Sequence, residues 1–92
     1  MPQIFKVGSY LIYFWANENK PLEPIHVHVS KGTPSEYATK IWITQKGKCL
    51  ICHNRSRIPE RQLKYIMDII EAQSKVIIKK WINFFGQIEY YC

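Results

Sequence analysis

Cys49-Leu50-Ile51-Cys52-His53-Asn54-Arg55-Ser56-Arg57-Ile58-Pro59-Glu60-Arg61-Gln62-Leu63 is where the hydrophobic period changes, and the fold class follows from that change. Residues 49–53 form a short apolar run of strand type. They are entered from Gln45-Lys46-Gly47-Lys48, which has the composition of a hairpin loop. Beyond them, Pro59 suits a first helical position and Glu60 a first turn, with Ser56 or Ile58 preceding. Leu63, Ile66, Met67 and Ile70 then recur on one helical face, with Arg61, Lys64, Asp68 and Glu71 outside it. Val76, Ile77, Trp81 and Phe85 extend the pattern to Gly86, a C-cap residue, and Phe84 joins the same core. The stripe Leu63, Met67, Ile70, Ser74, Ile77, Trp81 is almost continuous. It predicts one long helix, or two helices bent near Gln73-Ser74. Lys75, Lys79 and Lys80 lie in the later part, where cations suit a helix C-terminus.

Upstream the pattern is β. Lys6 to Trp15 alternates around a Gly8-Ser9 turn signal. A polar break, Ala16-Asn17-Glu18-Asn19-Lys20-Pro21, is closed by Pro24, and prolines so close together exclude regular structure. Ile25-His26-Val27-His28-Val29 alternates strictly, so both histidines share one face and the three aliphatic residues the other. After a turn at Lys31-Gly32-Thr33-Pro34, residues 36–44 read as a further strand, with Tyr37, Ile41, Trp42 and Ile43 supplying β propensity. Strands first and helices last predict an α+β fold. The expectation is a small, largely antiparallel sheet of about four to five strands over residues 3–54. One long or two consecutive C-terminal helices over residues 59–86 cover one face of it. No linker or repeat interrupts residues 1–92, which read as a single domain.

With 92 residues, 47% of them hydrophobic and 22% charged, the composition is that of a folded domain and excludes a disordered chain. No apolar run reaches the ~18–20 residues needed to span a bilayer, so no membrane partner is expected. The N-terminal residues lack the basic region and apolar stretch of an export signal. Together with an odd count of three cysteines, this points to a reduced cytoplasm. Thirteen Lys plus Arg against seven Asp plus Glu give +6, a balance that favours RNA, DNA or an acidic protein as partner.

Cys49-x-x-Cys52-His53 matches the c-type haem attachment signature, but that chemistry needs export. In a strand, moreover, positions three apart face opposite ways, so the thiols read as structural and no cofactor is expected. His26 and His28 are better candidates. Imidazoles two apart on a strand point the same way, and a pair can share proton transfer or ligate a metal. A third ligand from Glu23, Glu36, His53 or Cys92 would have to come through the fold; the plainer reading is packing within the sheet. Lys46, Lys48, Arg55, Arg57 and Arg61 crowd into residues 46–61 against the single acid Glu60. Lys46, Lys48, Arg55 and Arg57 are expected on one side of the sheet, ahead of the helices. Beside Trp15, Tyr37 and Trp42 they could hold single-stranded nucleic acid by charge and stacking, with a solvated basic face as the plainer reading. No nucleophile motif, phosphate loop or metalloprotease signature is present.

Glu23-Pro24-Ile25-His26-Val27-His28-Val29 with Lys31-Gly32 resembles the hallmark of the small bacterial proteins grouped as domain of unknown function 4160. Met1-Pro2-Gln3-Ile4, Tyr10 to Asn17, Ala38-x-Lys40-Ile41-Trp42-Ile43 and Trp81-x-x-Phe84-Phe85-Gly86 are similar to further parts of that family. Many members carry a second proline where this chain has Ile25. The resemblance implies signature positions at His26, His28, Trp42 and Trp81. It also implies an adjacent gene for a second small protein (domain of unknown function 2442), in an arrangement like toxin–antitoxin loci. The resulting expectation is a component of a two-gene module acting by protein–protein binding. The alternatives are a small RNA-cleaving enzyme using His26 and His28, or a non-catalytic nucleic-acid-binding module. Self-association stays open.

Overall fold

Alternation of apolar and polar residues produces five antiparallel strands in the computed structural model, which describes residues 3–15 and 23–92. They are β1 (Gln3–Val7), β2 (Tyr10–Tyr13), β3 (His26–Lys31), β4 (Thr39–Ile43) and β5 (Cys49–His53), and each pairs with its neighbour in sequence. The Gly8-Ser9 turn joins β1 to β2, with Gly8 at φ 59°. Met1-Pro2 and the polar break from Ala16 to Pro21, including the family-like Asn17, lie outside the described residues.

The chain then becomes helical as α1 (Glu60–Ala72) and α2 (Ser74–Phe85). Pro59 is the cap before α1 rather than its first residue, and its carbonyl accepts the Leu63 N–H at 2.8 Å. Gln73, at φ −107° and ψ 17°, separates the helices, yet its N–H still bonds Ile69 and its carbonyl still accepts from Ile77. That near-continuity explains why the apolar stripe runs unbroken across the bend. Gly86 ends α2 at φ 79°, with its N–H on the Ile82 carbonyl at 2.8 Å. Among the described residues, no helix is long and apolar enough to cross a membrane.

One face of the sheet lies against the helices. Ile12, Val27, Val29, Ile41 and Ile43 meet Leu63, Ile66, Ile70, Ile77 and Trp81 in the main core. A second, smaller cluster of Leu11, Tyr13 and Ala38, with Trp15, forms separately. The Tyr13 hydroxyl accepts the Ser35 N–H at 3.1 Å and donates to the Ser35 carbonyl at 3.2 Å, which ties the β3–β4 loop to β2.

Two local expectations need correction. The strand expected from residue 36 starts at Thr39, because Ser35 organises a turn through its hydroxyl (Tyr37 N–H, 3.0 Å) and its carbonyl (Ala38 N–H, 3.2 Å). Tyr37 is therefore 65% exposed instead of contributing to β4. On α2, Ser74, Ile77 and Trp81 define the buried face, which turns Val76 and Phe84 outward. Past Gly86, residues 87–92 return to the sheet. The Ile25 N–H donates to the Glu89 carbonyl at 2.8 Å and the Gln45 N–H to the Cys92 carbonyl at 3.0 Å.

The β4–β5 hairpin touches the bend between the helices at Gly47. This residue has φ 82°, and a Cβ there would come within 2.8 Å of the Ser74 hydroxyl. Gly32 has a similar φ of 83° but open space around it. Gly32→Ala is therefore expected to cost about 1–2 kcal/mol from backbone strain, and Gly47→Ala more than that. Urea denaturation of both variants measures the difference, and equal losses would show that the Ser74 contact is relieved freely.

Candidate functional site on the sheet face opposite the helices

Strand alternation sends Ile25, Val27 and Val29 into the core and turns His26 and His28 the other way, with His26, at the very start of β3, also reaching Trp81 of α2. His26 lies opposite Trp42, and His28 lies between Tyr13 and Lys40. The two rings are 5.0 Å apart, edge to face, so the expected pairing of the histidines is real. Their environments differ. His26 is only 1% exposed, with its Nδ1 2.8 Å from the Pro24 carbonyl and its ring 5.5 Å from both Trp42 and Trp81. Nδ1 therefore carries the proton in the arrangement that satisfies this contact. His28 is half-buried, stacked on Tyr13 at 5.6 Å and 6.1 Å from Trp15.

Beside the histidines, the Lys40 ammonium pairs with Glu23 at 2.7 Å and stands 4.5 Å from the Trp42 ring centroid. Tyr91 lies parallel to Trp42 at 4.9 Å and 6°. The Trp42 π surface is thus already engaged by the protein's own groups. His53 sits across from Lys40, and its Nδ1 is buried with no hydrogen-bond partner among the described residues. Burial, then the charges of Arg55 and Lys40 and the neighbouring His28, hold its pKa below the usual histidine range. Sequence reading placed His53 only among possible metal ligands and missed Tyr91 altogether. No periodic signal in residues 87–92 announces that the chain folds back.

The described residues bring together no three His, Cys, Asp or Glu side chains able to hold a metal ion. Glu23 is instead committed to Lys40. The two thiols of the C-x-x-C-H stretch do not converge. Cys49 is buried, with its Sγ 3.5 Å from a Glu71 carboxylate oxygen that also accepts its backbone N–H at 3.0 Å. Burial, reinforced by Glu71, pushes the Cys49 thiol up to about 12. Cys52 is exposed, and it is the extra residue where β5 shifts register against β4.

The five basic candidates are all exposed, but they do not form one patch. Lys46 and Lys48 occupy the β4–β5 hairpin. Arg55 and Arg57 lie past the other end of β5, about 20 Å away at ~3.3 Å per residue, with Arg61 in the first turn of α1. A strand therefore separates the two groups, which stand at opposite ends of β5. Asn54 builds the second turn. Its side chain accepts from the Ile58 N–H and donates to the Ile58 carbonyl, both at 3.0 Å, and its carbonyl accepts the Arg57 N–H at 3.1 Å. Arg57 adopts φ 55° as the turn closes. Surface depressions of about 240–340 Å³ lie among the described residues, and neither His26 nor His28 lines these.

Comparison with known proteins adds a family. The family model for a domain of unknown function, DUF4160, matches residues 9–82. That span contains both histidines, Trp42 and Trp81. No curated protein and no solved structure matches the chain.

The thiols and His53 give two solution tests. At pH 8, Cys52 and Cys92 are expected to react promptly with a disulfide reagent, and Cys49 only after denaturation. The folded Cys49 thiol keeps its proton to about pH 12 against 9.0 ordinarily, so its contribution to stability is complete below pH 9 and is lost as pH rises towards 12. For His53 the sign is opposite. Its lowered pKa contributes stability above the ordinary histidine range that is lost as pH falls through it. Acid titration of stability should accordingly be shallower in His53→Gln than in wild type.

Proposed function

Because the chain belongs to the DUF4160 family, a domain of unknown function, we propose that it is a cytoplasmic component of a toxin–antitoxin-like two-gene module. It acts by binding a protein encoded by the adjacent gene. The observation that carries this reading is exposed apolar surface on an edge strand: on β5, Leu50 and Ile51 are 41% and 45% exposed. Apolar side chains left on an edge strand are surface that another chain can cover.

The enzymatic alternative has less support. A phosphate-cleaving pair needs two accessible imidazoles, and His26 is closed in by Trp42, Trp81 and its bond to Pro24. His28 alone retains partial exposure. A nucleic-acid reading keeps one favourable feature, the exposed Arg55, Arg57 and Arg61 near one end of the sheet. The distance to Lys46 and Lys48 means that only a strand spanning about 20 Å engages both groups.

Co-expression with the adjacent gene's product is expected to yield a stable complex that survives chromatography. A wild-type protein that neither binds that product nor alters growth would remove the proposal. RNA is tested in parallel. Arg55→Ala combined with Arg57→Ala should lower the log–log salt slope of any RNA binding by about 1.4, at ~0.7 per phosphate contact. Equal RNA cleavage by wild type and His28→Ala would exclude the enzyme.

A further inference from the structure

We propose that β5 takes up an extended segment of a partner protein as an added strand, and that this segment is apolar in its middle and acidic at both ends. The proposal rests on the protein-binding reading above and specifies its surface. β5 is the last strand of the sheet, and Cys49-Leu50-Ile51-Cys52-His53 contains no Asp, Glu, Lys, Arg or Pro. Natural edges are commonly guarded by charge, proline or a covering element. Two guards are present here, and both lie to the sides of Ile51. Glu71 takes the Cys49 N–H at 3.0 Å, and the extra residue at Cys52 interrupts the register towards His53.

Ile51 remains between them. It is two residues from Cys49, whose N–H points away from β4, so strand alternation turns the N–H and C=O of Ile51 outward as well. Each face of the edge has a depression beside it. Ile51 borders one of about 330 Å³ with Leu63 and Met67. Leu50 borders another of about 340 Å³ with Lys46 and Lys48. An added strand would send alternate side chains into the two.

Charge decides the occupant. Lys46 and Lys48 stand before β5, and Arg55 and Arg57 stand after it, on a chain of net charge +6. A second copy paired antiparallel about Ile51 would bring the Lys48 end of one chain to the Arg55 end of the other, cation against cation. An acidic-ended segment meets opposite charge at both ends. Glu60, Asp68 and Glu71 line the helix-side depression beside Lys64, so the guest's acids belong at its ends and not at its centre.

The test uses the full chain and two synthetic peptides with the same alternating Val-Ile centre, one flanked by paired Asp and Glu, the other by paired Lys. The acidic peptide is expected to bind at least about tenfold more tightly, with the advantage shrinking as salt rises. Ile51→Pro removes an N–H that β4 does not use, and Ile51→Lys adds a guarding charge; each should reduce acidic-peptide binding about tenfold or more. Thermal melting checks that both variants remain folded, and Ile51→Lys carries the test if Ile51→Pro does not. Equal binding of the two peptides, or unchanged binding in a folded variant, overturns the proposal. So does a wild-type dimer that Ile51→Lys converts to monomer, which would assign the edge to a second copy. Copurification of the adjacent gene's product with wild type and Ile51→Lys alike would overturn the edge and leave protein binding standing. No copurification with wild type would remove both.

Discussion

Trp81 is closed to 1% exposure at the point where three parts of the chain meet. It packs edge-on to Phe14 at 5.1 Å, against Phe85 at 4.2 Å, and edge-on to His26 at 5.5 Å. An indole in such a position joins α2 to the end of β2 and the beginning of β3 in one contact. Loss of a buried tryptophan side chain costs about 3–5 kcal/mol, against a total stability of roughly 5–15 kcal/mol for an ordinary domain. The position of α2 on the sheet and the enclosure of His26 both depend on it.

That dependence changes the meaning of the paired histidines. Their spacing places them on one face, as strand geometry requires, but one of them is part of the packing that Trp81 organises. His28 belongs to a more open group with Tyr13 and Trp15, and Lys40 joins the face to Glu23. The face is therefore largely assembled from contacts the protein makes with itself, including Tyr91 on Trp42. Exposed apolar side chains lie to the side of it, at Leu50 and Ile51 on β5.

Most of the architecture is legible in the residues because it rests on short-range rules. Gly8-Ser9, the alternation at 25–29 and the helical stripe from Leu63 to Trp81 each act over a few positions, and each appears where those rules place it. Pro59 shows the limit of that precision: it announces the helix but sits one position ahead of it. The start of β4 is harder to read. Ser35 makes a turn with its own hydroxyl, and the β propensity of Tyr37 gives no sign of it. The basic residues illustrate a different limit. Closeness in sequence implies closeness in space within a helix or a turn, whereas a strand of five residues carries Lys48 and Arg55 far apart. Tyr91 and the exposed β5 edge are set by tertiary contacts, which no local pattern encodes.

The order of strands along the sheet also bears on how the chain is made. Every strand pairs only with its neighbour in sequence, so the hairpins can form one after another as the polypeptide emerges, with little loop entropy to overcome at each step. The helices that cover the inner face come last. During synthesis Ile12, Val27, Val29, Ile41 and Ile43 must wait, solvated, until α2 is complete and Trp81 arrives. Until the helices have emerged and folded onto it, the sheet has its oily side bare. That is the interval in which a chaperone has something to bind and in which aggregation competes with folding.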